Sequence, residues 1–388
     1  MRVLLAFDKF KGSLTAPEAC AAAGEGLRDV HPDWEIDACP LADGGDGFAS
    51  ILTRAAGGRL LTRTVTGPRG DPVEAAFGLV PLAQIPARAR ERLKLGWEIP
   101  AEATIALVDL ASASGLALLT PDRRDPWQTS TLGTGELLRA AIESGAAAIV
   151  LGAGGSATHD LGLGALAVLG WNLRSAAGER VHPPTPARWP EIERITSAPP
   201  APLPPIRIAC DVINPLLGPR GAAAVYAPQK GLGPGDALRL EHETARMALM
   251  LCARCTQPDT LMDEPGAGAA GGFAFGMMAA AGARLVPGLS LVADWLDLDT
   301  RLAAADLVLT GEGAFDASSL EGKGPGEVLR RAAALGKPAH VFAGQLDAAS
   351  PGAGCTCHAI TPPGVANGTA LLHGAEFLQL AVRGAFAE

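Results

Sequence analysis

Short apolar runs recur along the chain, each closing on glycine or aspartate and followed by residues with helical spacing. Residues 1–7 read as a strand ending at Asp8-Lys9-Phe10-Lys11-Gly12-Ser13. A helix is predicted directly after it, with Thr15 as N-cap, Pro17 in the first turn and Glu18 three residues past the cap. Runs at 146–151, 206–210, 306–310 and 340–343 read the same way, leading respectively into a glycine loop, Asp211, Gly311-Glu312-Gly313 and Gly344. Strands alternating with helices predict βαβ units and a largely parallel sheet, with ligands bound beyond the carboxyl ends of the strands.

Other stretches break this rhythm. Residues 60–119 hold several β-like runs with turn signals such as Thr66-Gly67-Pro68-Arg69-Gly70, which predicts a more antiparallel insertion. Prolines dominate 176–205, read as an extended surface connection. Residues 265–283 carry no charge and nominally reach membrane length, but they are Ala/Gly rather than Leu/Ile. A buried small-residue helix with a glycine-rich start is the better reading than a membrane span. No internal repeat is visible.

Composition narrows the class. With 388 residues, 48% hydrophobic and 19% charged, the chain has length for two domains and a large core, and wholesale disorder is excluded. A net charge of −9 argues against a nucleic-acid partner. The amino terminus shows no secretory pattern, and the seven cysteines are scattered, so reduced thiols and a cytoplasmic location are expected. Cys252-x-x-Cys255 with Cys355-x-Cys357-His358 could ligate zinc, but neither pair has a zinc-ribbon context, and small apolar residues are the plainer reading.

Lysine is scarce: Lys9, Lys11, Lys94, Lys230, Lys323 and Lys337 are the only six, and Lys9, Lys11, Lys230 and Lys323 lie in or beside glycine-bearing loops. Such placement suits point charges that meet phosphate. The loop 152–164 adds glycines for close backbone approach, the hydroxyls of Ser156 and Thr158, the Asp160 carboxylate, and an expected helix N-terminus for an anion. Asp8, Asp43, Asp46, Asp211, Glu312 and Asp316 fall in turn-like surroundings at strand ends. Acids and lysines on adjoining loops suit phosphoryl transfer, which needs phosphate neutralisation, a metal and a carboxylate to take the hydroxyl proton. A Walker A motif is absent, so a P-loop kinase is excluded. In 129–136 the hydroxyls either bind an anion or cap the helix, and the glycines of 266–272 either face a ligand or pack closely.

Taken in order, these motifs resemble the bacterial glycerate kinase family, the non-P-loop enzymes that phosphorylate glycerate with ATP. The resemblance spans nearly the whole chain. It rests on Asp8…Phe10-Lys11-Gly12-Ser13, Leu41-Ala42-Asp43-Gly44-Gly45-Asp46-Gly47, Thr66-Gly67-Pro68, Gly133-Thr134-Gly135-Glu136 and Gly154-Gly155-Ser156-Ala157-Thr158. It continues through Cys210-Asp211-Val212…Asn214-Pro215-Leu216, Pro228-Gln229-Lys230-Gly231, the glycines of 266–272 and Thr310-Gly311-Glu312-Gly313…Asp316. The family implies an α/β fold: a Rossmann- or flavodoxin-like, largely parallel domain (1–59 with 130–264 and 301–388) and a smaller inserted mixed α/β domain (60–129 with 265–300). It places the site in the cleft between them, with ATP, Mg²⁺ and D-glycerate, most often giving 2-phosphoglycerate. Neither nucleic acid nor membrane is an expected partner, and a homodimer is left open.

On physical grounds Asp211 or Asp316 is expected as base, with Lys11 also catalytic. Asp43 and Asp46 would hold metal. Substrate or phosphate would meet Asp8, Lys9, Ser13, Gly154, Gly155, Ser156, Thr158, Lys230 and Glu312. The chain departs from the family pattern where Lys9 replaces a usual serine, His159 an asparagine, Leu161 a glycine, Ala314 an arginine, Ser318-Ser319 Gln-Thr and Glu321 a histidine. Two rival readings follow: a divergent paralogue that binds a small hydroxy acid without turnover, or an NAD(P)-dependent reductase. The second rests on Gly152-x-Gly154-x-x-Ala157, which mimics a dinucleotide fingerprint but lacks the ribose-binding acid about twenty residues on.

Overall fold

The computed structural model describes residues 1–96, 99–196, 203–320, 324–347 and 354–387. The chain divides into two compact units, Met1–Asp43 with Val292–Glu388, and Gly44–Leu291.

The first unit carries a five-stranded sheet in the order Cys355–Ala359, Ala339–Leu346, Leu307–Phe315, Arg2–Phe7, Glu35–Ala38. Every pairing is parallel. The interior strand Arg2–Phe7 explains why: Val3 to Phe7 are all fully buried, so both faces need cover, and only crossover helices supply it. Helix Ala16–Arg28 is one of these, and it opens with the predicted capping box, in which Thr15 Oγ accepts from the Glu18 amide and Glu18 accepts from the Thr15 amide. Its Gly26 lets helix Gly374–Phe386 come close, since a Cβ there would lie 2.5 Å from the Gln379 carbonyl oxygen.

The second unit holds a six-stranded sheet in the order Arg284–Val286, Ile206–Ala209, Ala148–Gly152, Thr104–Asp109, Pro72–Pro81, Arg59–Thr66. The expected antiparallel character is present in the last two pairings; the others are parallel. The α/β reading, with one parallel and one mixed sheet, therefore stands. The segments are divided differently from expectation. Residues 130–264, expected beside the N-terminal strand, lie with 60–129, and the inserted unit is the longer one. The reason is strand pairing: Thr104–Asp109 is antiparallel to one neighbour and parallel to Ala148–Gly152 on the other side, which stitches the insertion to the βαβ strands.

Local readings are also refined. Residues 176–196 form more than a surface connection: a two-stranded pair, Asn172–Arg174 with Arg194–Thr196, brackets the short turn Pro186–Glu191, and Trp189 is fully buried. Residues 197–202 lie outside the described residues. The uncharged stretch forms helix Ala269–Ala281, with left-handed backbone at Ala270, Gly271 and Gly272. Among the described residues no helix is long and apolar enough to cross a membrane.

Candidate active site

In the first unit, the carboxyl ends of two adjacent strands bring acids together. Phe7 is paired with Gly311, so Asp8, the first residue past its strand, comes beside Glu312, which is still within Leu307–Phe315 and paired with Ala343, and the Asp8 amide donates to the Gly311 carbonyl at 3.0 Å. Residues 39–41 run alongside, the Leu41 amide donating to the Phe7 carbonyl at 2.8 Å, and this carries Asp43 to the same edge. Lys9 links the acids: its amide donates to Asp8 Oδ1 at 2.7 Å and its Nζ lies 3.6 Å from Asp43 Oδ1. Asp8 is 7% exposed, and burial first, then the negative charges of Asp43 and Glu312, push its carboxyl up to about 7 against the pull of Lys9. Such a group is half ionised near neutral pH, the condition for proton transfer.

The remaining predicted residues of this unit are placed nearby in the chain with varied duties. Lys11 is exposed at the turn after Phe10. Ser13 donates its hydroxyl to the Leu371 carbonyl at 2.7 Å, so it ties the loop to helix Asn367–Leu372. Asp316 Oδ1 accepts from the Ser319 amide at 3.2 Å, and its own amide donates to Ser319 Oγ, which makes it the start of the turn Ala317–Leu320. Glu321 and Lys323 lie outside the described residues.

In the second unit three loops meet beyond the strands Thr104–Asp109 and Ala148–Gly152. The Gly154 amide donates to the Gly44 carbonyl at 2.9 Å, the Leu116 amide to Gly155 at 2.8 Å, and the Ala157 amide to Ser114 at 2.9 Å. Gly155 has φ +75°, and a Cβ there would sit 3.1 Å from Asp46 Oδ1, so glycine is what allows the Asp46 carboxylate to lie over the loop. Asp109 holds the other side, accepting from the amides of Gly47 and Ala49 at the start of helix Phe48–Ala55. Lys230 enters this cluster buried, 2% exposed, with Nζ donating to Ser156 Oγ at 2.8 Å and to the Thr158 carbonyl at 2.6 Å. Burial pushes its ammonium down to about 7, partly offset by the charge of Asp160. Asp211, exposed at the end of Ile206–Ala209, accepts from the Leu289 amide at 2.8 Å and so caps helix Gly288–Trp295.

The expected helix N-terminus at the glycine loop is not there. The next helix, Leu163–Val168, begins eleven residues after Gly152, and the amides of Gly162 and Gly164 donate to Asp160. Asp160 also accepts from the Thr131 amide and from the hydroxyls of Thr131 and Ser130. Burial pushes its carboxyl up while these donors pull it down. The hydroxyls of 129–136 are thus internal ties, and the same change of geometry removes the strand–turn–helix that a dinucleotide fingerprint requires. The glycines of 266–272 pack closely: a Cβ on Gly271 would lie 2.2 Å from the Thr158 carbonyl oxygen.

His159 is buried with Nε2 2.9 Å from Thr244 Oγ, whose hydroxyl donates to Leu240, so the ring nitrogen is the donor. Burial holds it down to about 3, hence neutral. Two buried polar atoms beside Lys230, Thr158 Oγ and His159 Nδ1, have no hydrogen-bond partner.

Mg²⁺ takes one or two carboxylates together with substrate phosphates and water. Asp43 and Asp46 have that chemistry, and the surplus negative charge that lifts Asp8 marks a place favourable to a cation. Among the described residues no group of three or more His, Cys, Asp or Glu side chains is gathered as a closed metal site, and the two cysteine pairs form none; all seven cysteines are free thiols.

The family description matching residues 3–382 is the glycerate kinase family. A glycerate kinase from Bacillus subtilis is 35% identical over 352 residues, 89% of this chain and 85% of the relative. A glycerate 2-kinase from Escherichia coli K12 is 35% identical over 89% of this chain and 86% of its own length. A crystal structure assigned to glycerate kinase 2 from Salmonella typhimurium LT2 superposes with a TM-score of 0.75 at 34% identity, covering 99% of this chain and 97% of that one.

Proposed function

Because the chain belongs to the glycerate kinase family, we propose that it transfers the γ-phosphoryl group of ATP to a hydroxyl of D-glycerate, giving 2-phosphoglycerate. The observation that carries the chemistry is Asp8, buried at a strand end beside Lys9, Asp43 and Glu312 and held near 7. It is suited to accept the proton of the attacking hydroxyl, a role for which the loop composition pointed to Asp211 or Asp316. Both of those have a carboxylate oxygen engaged by a helix-start amide.

In this reading Lys9 and Lys11 meet anionic oxygens in the first unit, and Lys230 with Ser156 and Thr158 does so in the second. Mg²⁺, held through Asp43 and Asp46, would neutralise the triphosphate and so ease departure of ADP. Ser13, Gly154, Gly155 and Glu312 shape the loops around these groups.

ADP release measured with D-glycerate and Mg²⁺ tests the reading, with phosphorus NMR of the product to identify the esterified hydroxyl. ATP-dependent phosphorylation of D-glycerate at the 2-hydroxyl is the expected result. D-Glycerate binding without ADP release would instead select the paralogue that binds a small hydroxy acid without turnover, and NADPH oxidation without ATP turnover would select the reductase.

A further inference from the structure

The buried amine of Lys230 meets two neutral oxygens, a hydroxyl and a carbonyl. A lysine that serves only to neutralise phosphate has no need of that arrangement, because an ammonium gains more from solvent or from a carboxylate. Ser156 is 9% exposed, and the backbone fixes it on both sides: the Gly155 carbonyl accepts from Leu116, the Ala157 amide donates to Ser114, and Ser156 itself forms an antiparallel bridge with Gly115. Its backbone is therefore held in place, and its hydroxyl lies 2.8 Å from an amine that burial brings close to neutrality. A serine beside a desolvated amine is the arrangement of an activated nucleophile.

We propose that Ser156 and Lys230 form a nucleophile–base pair, and that Ser156 receives the γ-phosphoryl group of the nucleotide before the acceptor does. The inference rests on the kinase reading above for its phosphoryl donor. In the first step Ser156 Oγ bonds to the γ-phosphorus, the bond from that phosphorus to the β,γ-bridging oxygen breaks, ADP leaves, and the serine proton passes to Lys230 Nζ. In the second step the acceptor hydroxyl oxygen bonds to the same phosphorus, the phosphorus–Oγ bond breaks, Lys230 returns its proton to Oγ, and the acceptor proton passes to a carboxylate base. The overall stoichiometry is that of direct transfer.

Two measurements on the full chain test the pair. With γ-labelled ATP and no D-glycerate, rapid quench and peptide mass spectrometry should find phosphoserine at Ser156, and labelled ADP should exchange into ATP. Ser156→Ala and Lys230→Met should each reduce both signals by about 100-fold or more. Phenylmethanesulfonyl fluoride reports on nucleophilicity without nucleotide: it should label Ser156 in the native protein, faster as pH rises through 7, and fail to label Lys230→Met. Turnover of D-glycerate without phosphoserine or ADP–ATP exchange overturns the inference and leaves the kinase reading intact. Phosphoserine at Ser156 without D-glycerate turnover supports the pair and overturns the acceptor. Absence of phosphoserine, exchange and turnover overturns both.

Discussion

The Lys9 amide donates to Asp8 Oδ1 at 2.7 Å, yet Asp8 still titrates near 7. One hydrogen bond to the charged form is outweighed by burial and by two neighbouring acids. A folded carboxyl raised from 3.8 to about 7 holds a proton that the unfolded chain has already lost, so the fold loses stability as pH rises through that window. Asp8→Asn keeps the shape and removes the charge. We expect it to be more stable than the parent at pH 8, with the gap closing toward pH 4, and to lose about 100-fold or more in kcat if Asp8 is the proton acceptor. Urea midpoints at the two pH values and steady-state rates check this; a variant less stable than the parent at pH 8 would contradict the burial argument.

Lys230 gives the mirror case. Its ammonium is lowered from 10.5 to about 7, so between those values the unfolded chain holds a proton that the folded chain has released, and stability rises with pH. Below about 7 both states are charged and the full desolvation cost is present. Lys230→Met should thus gain most over the parent at pH 6 and lose that advantage by pH 10. Differential scanning fluorimetry across this range reads the difference directly, and a gap independent of pH would mean that Lys230 stays charged throughout.

Asp160 is a structural anchor rather than a ligand. It is fully buried, and the Thr131 amide and hydroxyl, the Ser130 hydroxyl and the amides of Gly162 and Gly164 all donate to it. Asp160→Asn puts an amide NH₂ where donors already converge and removes the charge facing Lys230. A loss of about 3–5 kcal/mol in chemical denaturation is expected. A loss under 1 kcal/mol would show that the network reorganises cheaply.

The parallel sheet of the first unit was legible because buried strands such as Val3–Phe7 leave continuous apolar runs closed by turn residues, and the Thr15–Glu18 capping box is written in four residues. The boundary of the second unit was not, because pairing between Thr104–Asp109 and Ala148–Gly152 is a long-range fact without a local signature. The loops proposed to carry the chemistry stand out by residue type, whereas the bonds their side chains make do not. Thr131, Asp160 and Ser13 look like ligand groups in the sequence and prove to be bonded within the protein. Asp8 looked like one acid among six; only its burial and its distance from other charges set it apart. An aspartate immediately after the unbroken apolar run Val3–Phe7 was the available signal.

The identity of the base can be decided among three carboxylates because their surroundings differ. Asp211 and Asp316 each cap a helical segment through one oxygen, so their replacement by Asn should cost about 1 kcal/mol of stability. Neither loss alone should change the pH profile of kcat. Removing the true base should lower kcat far more than KM, and should abolish the acid limb of that profile, because the limb reports ionisation of that one group in the substrate complex. With Asp8 as base, the limb persists in Asp211→Asn and Asp316→Asn and vanishes in Asp8→Asn. Its disappearance in either of the other two variants, with Asp8→Asn retaining it, would transfer the role to that residue and leave Asp8 as a buried partner of Lys9.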